Sequence, residues 1–128
     1  MTCFWDGIIK SLTKADKDIL GLQNVSVYAL IDNLKALNCK TTDMQWQGVS
    51  LTNKQLNENI AHISEYKKHS AGGGYLCSTC DPFLFLVSFL LKRPIKFNYC
   101  ATVINYTPLL SIKDKLYYNC NRGHFWSK

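Results

Sequence analysis

The chain has 128 residues, 47% of them hydrophobic and 19% charged, with a net charge of +6. That length suits one domain spanning residues 1–128, able to bury roughly two-thirds of its unfolded surface, and the composition is that of a globular protein, with no disorder expected over most of the length. The Lys and Arg are scattered without a block of five or an arginine-rich stripe, so the excess favours acidic partners in general and gives no nucleic-acid motif.

Ile8, Ile9 and Leu12 recur at helical spacing, which predicts a first helix from Trp5 to about Thr13 with Cys3 at its N-terminus. Lys14 to Asn24 is polar and reads as irregular. Ser26 can cap a second helix to Leu37, whose apolar face carries Tyr28, Leu30, Ile31, Leu34 and Leu37. Thr41 to Gly48 reads as a loop. Thr52 and Gln55 form a capping-box pattern for a third helix to Lys68, lined by Leu56, Ile60 and Ile63. Gly72-Gly73-Gly74 breaks the chain, and Asp81-Pro82 opens a fourth, fully buried helix to Leu91. Its apolar run, Phe83 to Leu91, is nine residues, against about 20 for a membrane span. Residues 1 to 12 lack the basic start and long apolar run of a cleavable signal.

Beyond Leu91 the pattern changes to period two. Pro94 to Tyr99, Ala101 to Tyr106, Leu116 to Cys120 and Gly123 to Ser127 read as strands, with Leu109 to Lys115 as a connection. Helices first and strands later imply an α+β fold, helices packed against a small, mostly antiparallel sheet.

Six cysteines stand at 3, 39, 77, 80, 100 and 120. Their sparse spacing and the absence of a secretory segment point to a reducing compartment rather than a disulfide framework. Cys3 is the candidate nucleophile. At a helix N-terminus the dipole and unpaired amides favour a thiolate, and an adjacent imidazolium favours it further. His124, in Gly123-His124-Phe125-Trp126, is the candidate base; His62 and His69 sit in settings that read as structural or solvent-facing. A third residue would orient the imidazole, and Asn121 is preferred to Asn119 and Asp6, with a simple dyad as the alternative.

These segments resemble the ovarian-tumour (OTU) type of cysteine protease, and the nearest rival is the wider set of papain-like viral proteases, which share the cysteine-then-histidine order. Cys3-Phe4-Trp5 before an apolar helix is similar to the family's nucleophile segment. Gly73-Gly74-Tyr75, a helix and Lys92-Arg93-Pro94-Ile95-Lys96-Phe97 are similar to its Gly-Gly segment, helix and Arg-Pro-Ile strand. Gly123-His124-Phe125-Trp126 is similar to its terminal histidine and aromatic. Members carry Asp-Gly-Asn/Asp before the cysteine, where this chain has Met1-Thr2. The resemblance implies a papain-like/OTU-like fold in a compact viral version and a deubiquitinase or protease working without a cofactor. Its expected partners are ubiquitin or a ubiquitin-like modifier, with viral polyprotein as a further substrate. A monomer in the host cytoplasm is expected, and the lack of a base-reading motif and of a long apolar run sets aside nucleic acid and membrane as partners.

On that reading Gly73, Gly74 and Tyr75, with Trp126, line a narrow groove for a Gly-Gly substrate tail, because glycine backbone lets a chain approach closely. Two other classes stay open. One is a catalytically inactive relative that binds ubiquitin or a host protein. The other is a small basic binding domain with zinc held by Cys77 and Cys80, completed by Cys100 and Cys120 if their strands are adjacent.

Overall fold

A computed structural model describes residues 2–23, 25–73, 75, 77–111 and 113–128, with backbone alone at 77–79. Among these residues five α-helices and one 3-10 helix pack on a six-stranded open mixed sheet.

Helix α1 spans Cys3–Ser11 and begins two residues earlier than its apolar spacing alone predicts. It buries Phe4, Trp5 and Ile8 against the core. Helix α2, Lys14–Ile19, replaces the expected irregular stretch. Its cause is a capping box: the Thr13 hydroxyl accepts from the Asp16 amide at 3.2 Å, and the Asp16 carboxylate accepts from the Thr13 amide at 3.0 Å. Helix α3, Val27–Ala36, is capped by Ser26 as its sequence predicts. Helix α4, Asn53–Glu65, starts on the Thr52–Gln55 box. A 3-10 helix, Lys68–Gly73, follows.

Helix α5, Cys77–Leu91, corrects the expected Asp81-Pro82 start, since both residues lie within the helix. The Asp81 carboxylate does not cap; it accepts hydrogen bonds from the Tyr75 and Tyr106 hydroxyls. Lys92 ends α5 in a left-handed conformation (φ 55°), and the Ser88 hydroxyl donates to the Arg93 carbonyl at 2.6 Å. Arg93 then reaches back to pair with Asp16, which is only 1% exposed, and its Nε donates to the Asp114 carbonyl at 2.8 Å. The Lys-Arg-Pro-Ile segment therefore ties α2, α5 and the loop before the fifth strand together.

The strands are β1 Met44–Trp46, β2 Val49–Ser50, β3 Ile95–Tyr99, β4 Thr102–Pro108, β5 Leu116–Asn121 and β6 His124–Ser127, ordered β2-β1-β4-β3-β5-β6. All neighbours are antiparallel except β3 and β5. The β1–β2 hairpin stands where the sequence reads as a loop. Its turn, Gln47-Gly48, places both residues at positive φ, a two-residue geometry that matches strand twist.

One face of the sheet presents Ile95, Phe97, Tyr106, Tyr118, Cys120 and Phe125 to the helices. Burial of each large side chain is worth about 1.5–3 kcal/mol. Edge-to-face rings of Phe4, Trp5, Phe83 and Phe125 fill the centre. Alternation puts Lys96, Asn98, Asn119, Asn121, His124 and Trp126 on the opposite face, where they are half-buried or exposed.

Candidate functional site

The two ends of the described chain meet. Helix α1 lies along the edge strand β6, and Gly7 permits it: a Cβ there would sit 2.7 Å from a Phe125 ring carbon. This close approach sets Cys3, the first residue of α1, against the β5–β6 turn. That turn, Arg122-Gly123, has both residues at positive φ (52° and 79°) and pairs Asn121 with His124 across it.

The Cys3 thiol donates to the Gly123 carbonyl at 3.6 Å, and Sγ accepts from the Phe125 amide at 3.4 Å. The sulfur is thus held by the peptide groups on either side of His124. The same Gly123 carbonyl accepts from the Tyr75 amide at 3.0 Å. Cys3 is 8% exposed. It opens onto a groove of about 430 Å³ lined by Asp6 and Lys10 from α1 and by His124, Trp126 and Ser127 from β6.

His124 is exposed, and its ring stacks on Trp126 with centroids 5.4 Å apart and planes inclined by 24°. The pleat explains this direction. Phe125 points inward to α1, so its neighbours point to the outer face. Among the described residues the two hydrogen bonds of Sγ go to backbone, and none joins it to the imidazole. Cys3 and His124 therefore share one groove without forming a hydrogen-bonded pair.

Asn121 faces His124 in strict register, which puts both side chains on the same side of the hairpin. Asn119 pairs with Trp126 instead, and its side-chain carbonyl accepts from Asn98 at 3.0 Å. Asp6 accepts from the Thr2 hydroxyl at 2.7 Å. Of the three candidate orienting residues, Asn121 stands opposite the histidine in the ladder, and Asp6 lines the same groove from α1.

The structure corrects one member of the expected glycine-lined groove, Tyr75. Gly73 is exposed at the end of the 3-10 helix, and Gly74 lies outside the described residues. Tyr75 is a core residue, 4% exposed, with its ring against Phe4, Phe97, Tyr99 and Phe125. It cannot wall an open groove. Trp126, 41% exposed, does line the groove with Cys3.

Cys80 is buried, while the Cys77 side chain lies outside the described residues. Cys100 and Cys120 are neighbours, the amide of one donating to the carbonyl of the other at 2.8 Å. Among the described residues no three His, Cys, Asp or Glu side chains gather as a metal site. No described helix is long and apolar enough to cross a membrane.

Sequence reasoning missed Asp81. Burial pushes its carboxyl above the ordinary range, and the hydroxyls of Tyr75 and Tyr106 pull the other way. Asp-Pro has the signature of a helix start, so the sequence pointed to a cap rather than to a buried acid.

The chain matches no protein-family model, and no curated protein or solved structure is significantly similar to it.

Proposed function

We propose that the chain is a cysteine peptidase or isopeptidase of papain-like, OTU-like type. One observation carries the reading: at the N-terminus of α1, the sulfur of Cys3 is hydrogen-bonded to the peptide groups flanking His124. The expected substrate is the Gly-Gly tail of ubiquitin or a ubiquitin-like modifier, with viral polyprotein as a second target and the host cytoplasm as the setting.

In the reaction His124 takes the Cys3 proton, and the sulfur attacks the glycyl carbonyl carbon. The amine leaves with the proton from His124, giving a thioester. Water, deprotonated by the same imidazole, then releases the acid and restores the thiol. The Phe125 amide donates to the sulfur, which stands at the N-terminus of α1. Backbone amides around Cys3 are the candidate oxyanion donors. Two local movements precede attack. The thiol must leave the Gly123 carbonyl, and the His124 side chain must turn from Trp126 towards the sulfur.

A ubiquitin probe with an electrophilic C-terminus tests this. Covalent labelling is expected with the parent chain, abolished in Cys3→Ala and reduced at least a hundredfold in His124→Ala, given the 10²–10⁴-fold usual for a general base. Labelling that persists without Cys3 would overturn the assignment. So would the absence of any adduct with probes of ubiquitin and ubiquitin-like modifiers.

A second reading has its own observation. Both hydrogen bonds of the sulfur are made to backbone and the residue is buried. That is also the environment of a structural thiol, as in an inactive relative that binds a modifier without cleaving it. Binding of ubiquitin with no adduct from its electrophilic form distinguishes this reading.

A further inference from the structure

A second cleft lies between α4 and α5, with β1 at its mouth, and encloses about 260 Å³. Its α4 wall is polar along a full helical row: Gln55, Glu58, Asn59 and His62 all line it. Facing them on α5 are Asp81, whose Oδ1 accepts from the Tyr75 and Tyr106 hydroxyls, Pro82 and Phe85. Trp46 of β1, 40% exposed, borders the opening.

We propose that this cleft binds a basic amino-acid residue, holding an arginine guanidinium against the carboxylates of Glu58 and Asp81. Three observations converge on that chemistry. First, the lining carries two carboxylates and no Lys or Arg, in a chain whose net charge is +6. Lys54 reaches Glu58 only at 4.0 Å and is itself 87% exposed, so it competes weakly for that carboxylate. Second, the exposed ring of Trp46 stands beside the acids, with the buried Phe85 behind it in the lining. A planar cation stacks on such a face while its N–H groups bond carboxylate oxygens, which suits guanidinium better than ammonium. Third, the Asn59 side-chain nitrogen is buried without a hydrogen-bond partner among the described residues. A buried donor calls for an acceptor, and the carbonyl of a bound amino-acid residue supplies one once the Asn59 amide turns from its covered position into the cleft. The raised Asp81 carboxyl agrees with this, because a cation would relieve part of the desolvation that disfavours its charge.

His62 is the remaining titratable group in the lining, and its protonation would oppose the cation. The site is separate from the Cys3 groove and does not depend on hydrolysis.

The test is a titration of the full chain with N-acetyl-arginine amide, read by NMR at the Asn59 side-chain amide and at the Trp46 indole assigned through Trp46→Phe. N-acetyl-citrulline amide, equal in shape but neutral, is the first comparison. Arginine is expected to bind at least about tenfold more tightly, and Glu58→Gln and Asp81→Asn each to remove about tenfold, as loss of a charge-assisted bond implies. n-Butylguanidine keeps the single cation without the carbonyl and is expected to bind several-fold more weakly than the arginine amide. Equal binding of arginine and citrulline, or shifts confined to resonances outside the cleft, would overturn the proposal. Equal binding of n-butylguanidine would overturn the part given to Asn59. Both variants are first shown to be folded by their urea midpoints, so lost binding is read as lost recognition.

Discussion

At the residue scale the informative side chains are those whose partners come from distant parts of the sequence. The elements that carry Cys3 and His124 were legible because a helix N-terminus and a terminal strand each leave a local pattern. The direction of the imidazole was not legible, since it depends on which face of β6 carries Phe125. The buried state of Tyr75 was hidden for the same reason, because an aromatic beside glycines reads as exposed. Asp81 gives a prediction with a definite sign. Its carboxyl is raised by burial in the folded chain relative to the ordinary value of 3.8. The folded state therefore holds a proton that the unfolded state releases. The stability this contributes is fully present below 3.8 and is lost as pH rises through the raised value. Asp81→Asn keeps an acceptor for the two tyrosines and never ionises. Its urea midpoint relative to the parent should therefore rise with pH across that window. A difference that stays constant from acid to neutral pH would show that Asp81 ionises as freely in the folded chain as in the unfolded one.

At the element scale, caps were the most reliable signal and pairing the least. Ser26 and Thr52 start α3 and α4 as their sequences require. Thr13 starts α2 by the same chemistry, but six residues are too few to show an apolar period, so the helix was missed. Thr13→Ala removes one half of that box and should cost about 1 kcal/mol in chemical denaturation. Asp16 remains tied to Arg93, so the loss should stay local to α2; a cost well above 2 kcal/mol would mean that the cap supports the Arg93 network as well. The seat of α1 on β6 makes a sharper case. Gly7→Ala improves intrinsic helix propensity by about 1 kcal/mol. The added Cβ meets the Phe125 ring at 2.7 Å, and overpacking of a buried contact costs about 1–3 kcal/mol. A net loss of up to about 2 kcal/mol is expected, and the Cys3–Phe125 contact should be disturbed with it. A stabilised Gly7→Ala variant would show that α1 can slide along β6 without cost.

At the scale of the whole molecule, the sequence pattern conveyed helices against a sheet and four of the strands, but not their order. The parallel pairing of β3 with β5 joins Ile95 to Leu116 and Tyr99 to Cys120 after β4 has formed a hairpin on the other side of β3. No local period encodes that choice. It follows from the Leu116 amide bonding the Pro94 carbonyl at 2.7 Å and from burying Leu116, Tyr118 and Cys120 on the helical face. The most distant contact is the one on which the candidate site stands, α1 against β6. Phe125 is its hub, 1% exposed and packed on Phe4, Phe97 and Tyr118. Phe125→Ala should therefore cost about 3–5 kcal/mol, the usual range for a large buried ring. Its effect on local opening is more telling than its size. Because α1 and β6 cover each other, hydrogen exchange should accelerate together at amides of α1 and of β6, at opposite ends of the sequence. Helix α4 packs on α5 rather than on β6, so in native-state exchange it should keep more of its protection. Acceleration confined to β6, with α1 protected as in the parent, would mean that the helix is held by α3 and the aromatic centre alone. The sulfur and the imidazole would then be neighbours without a shared cooperative unit.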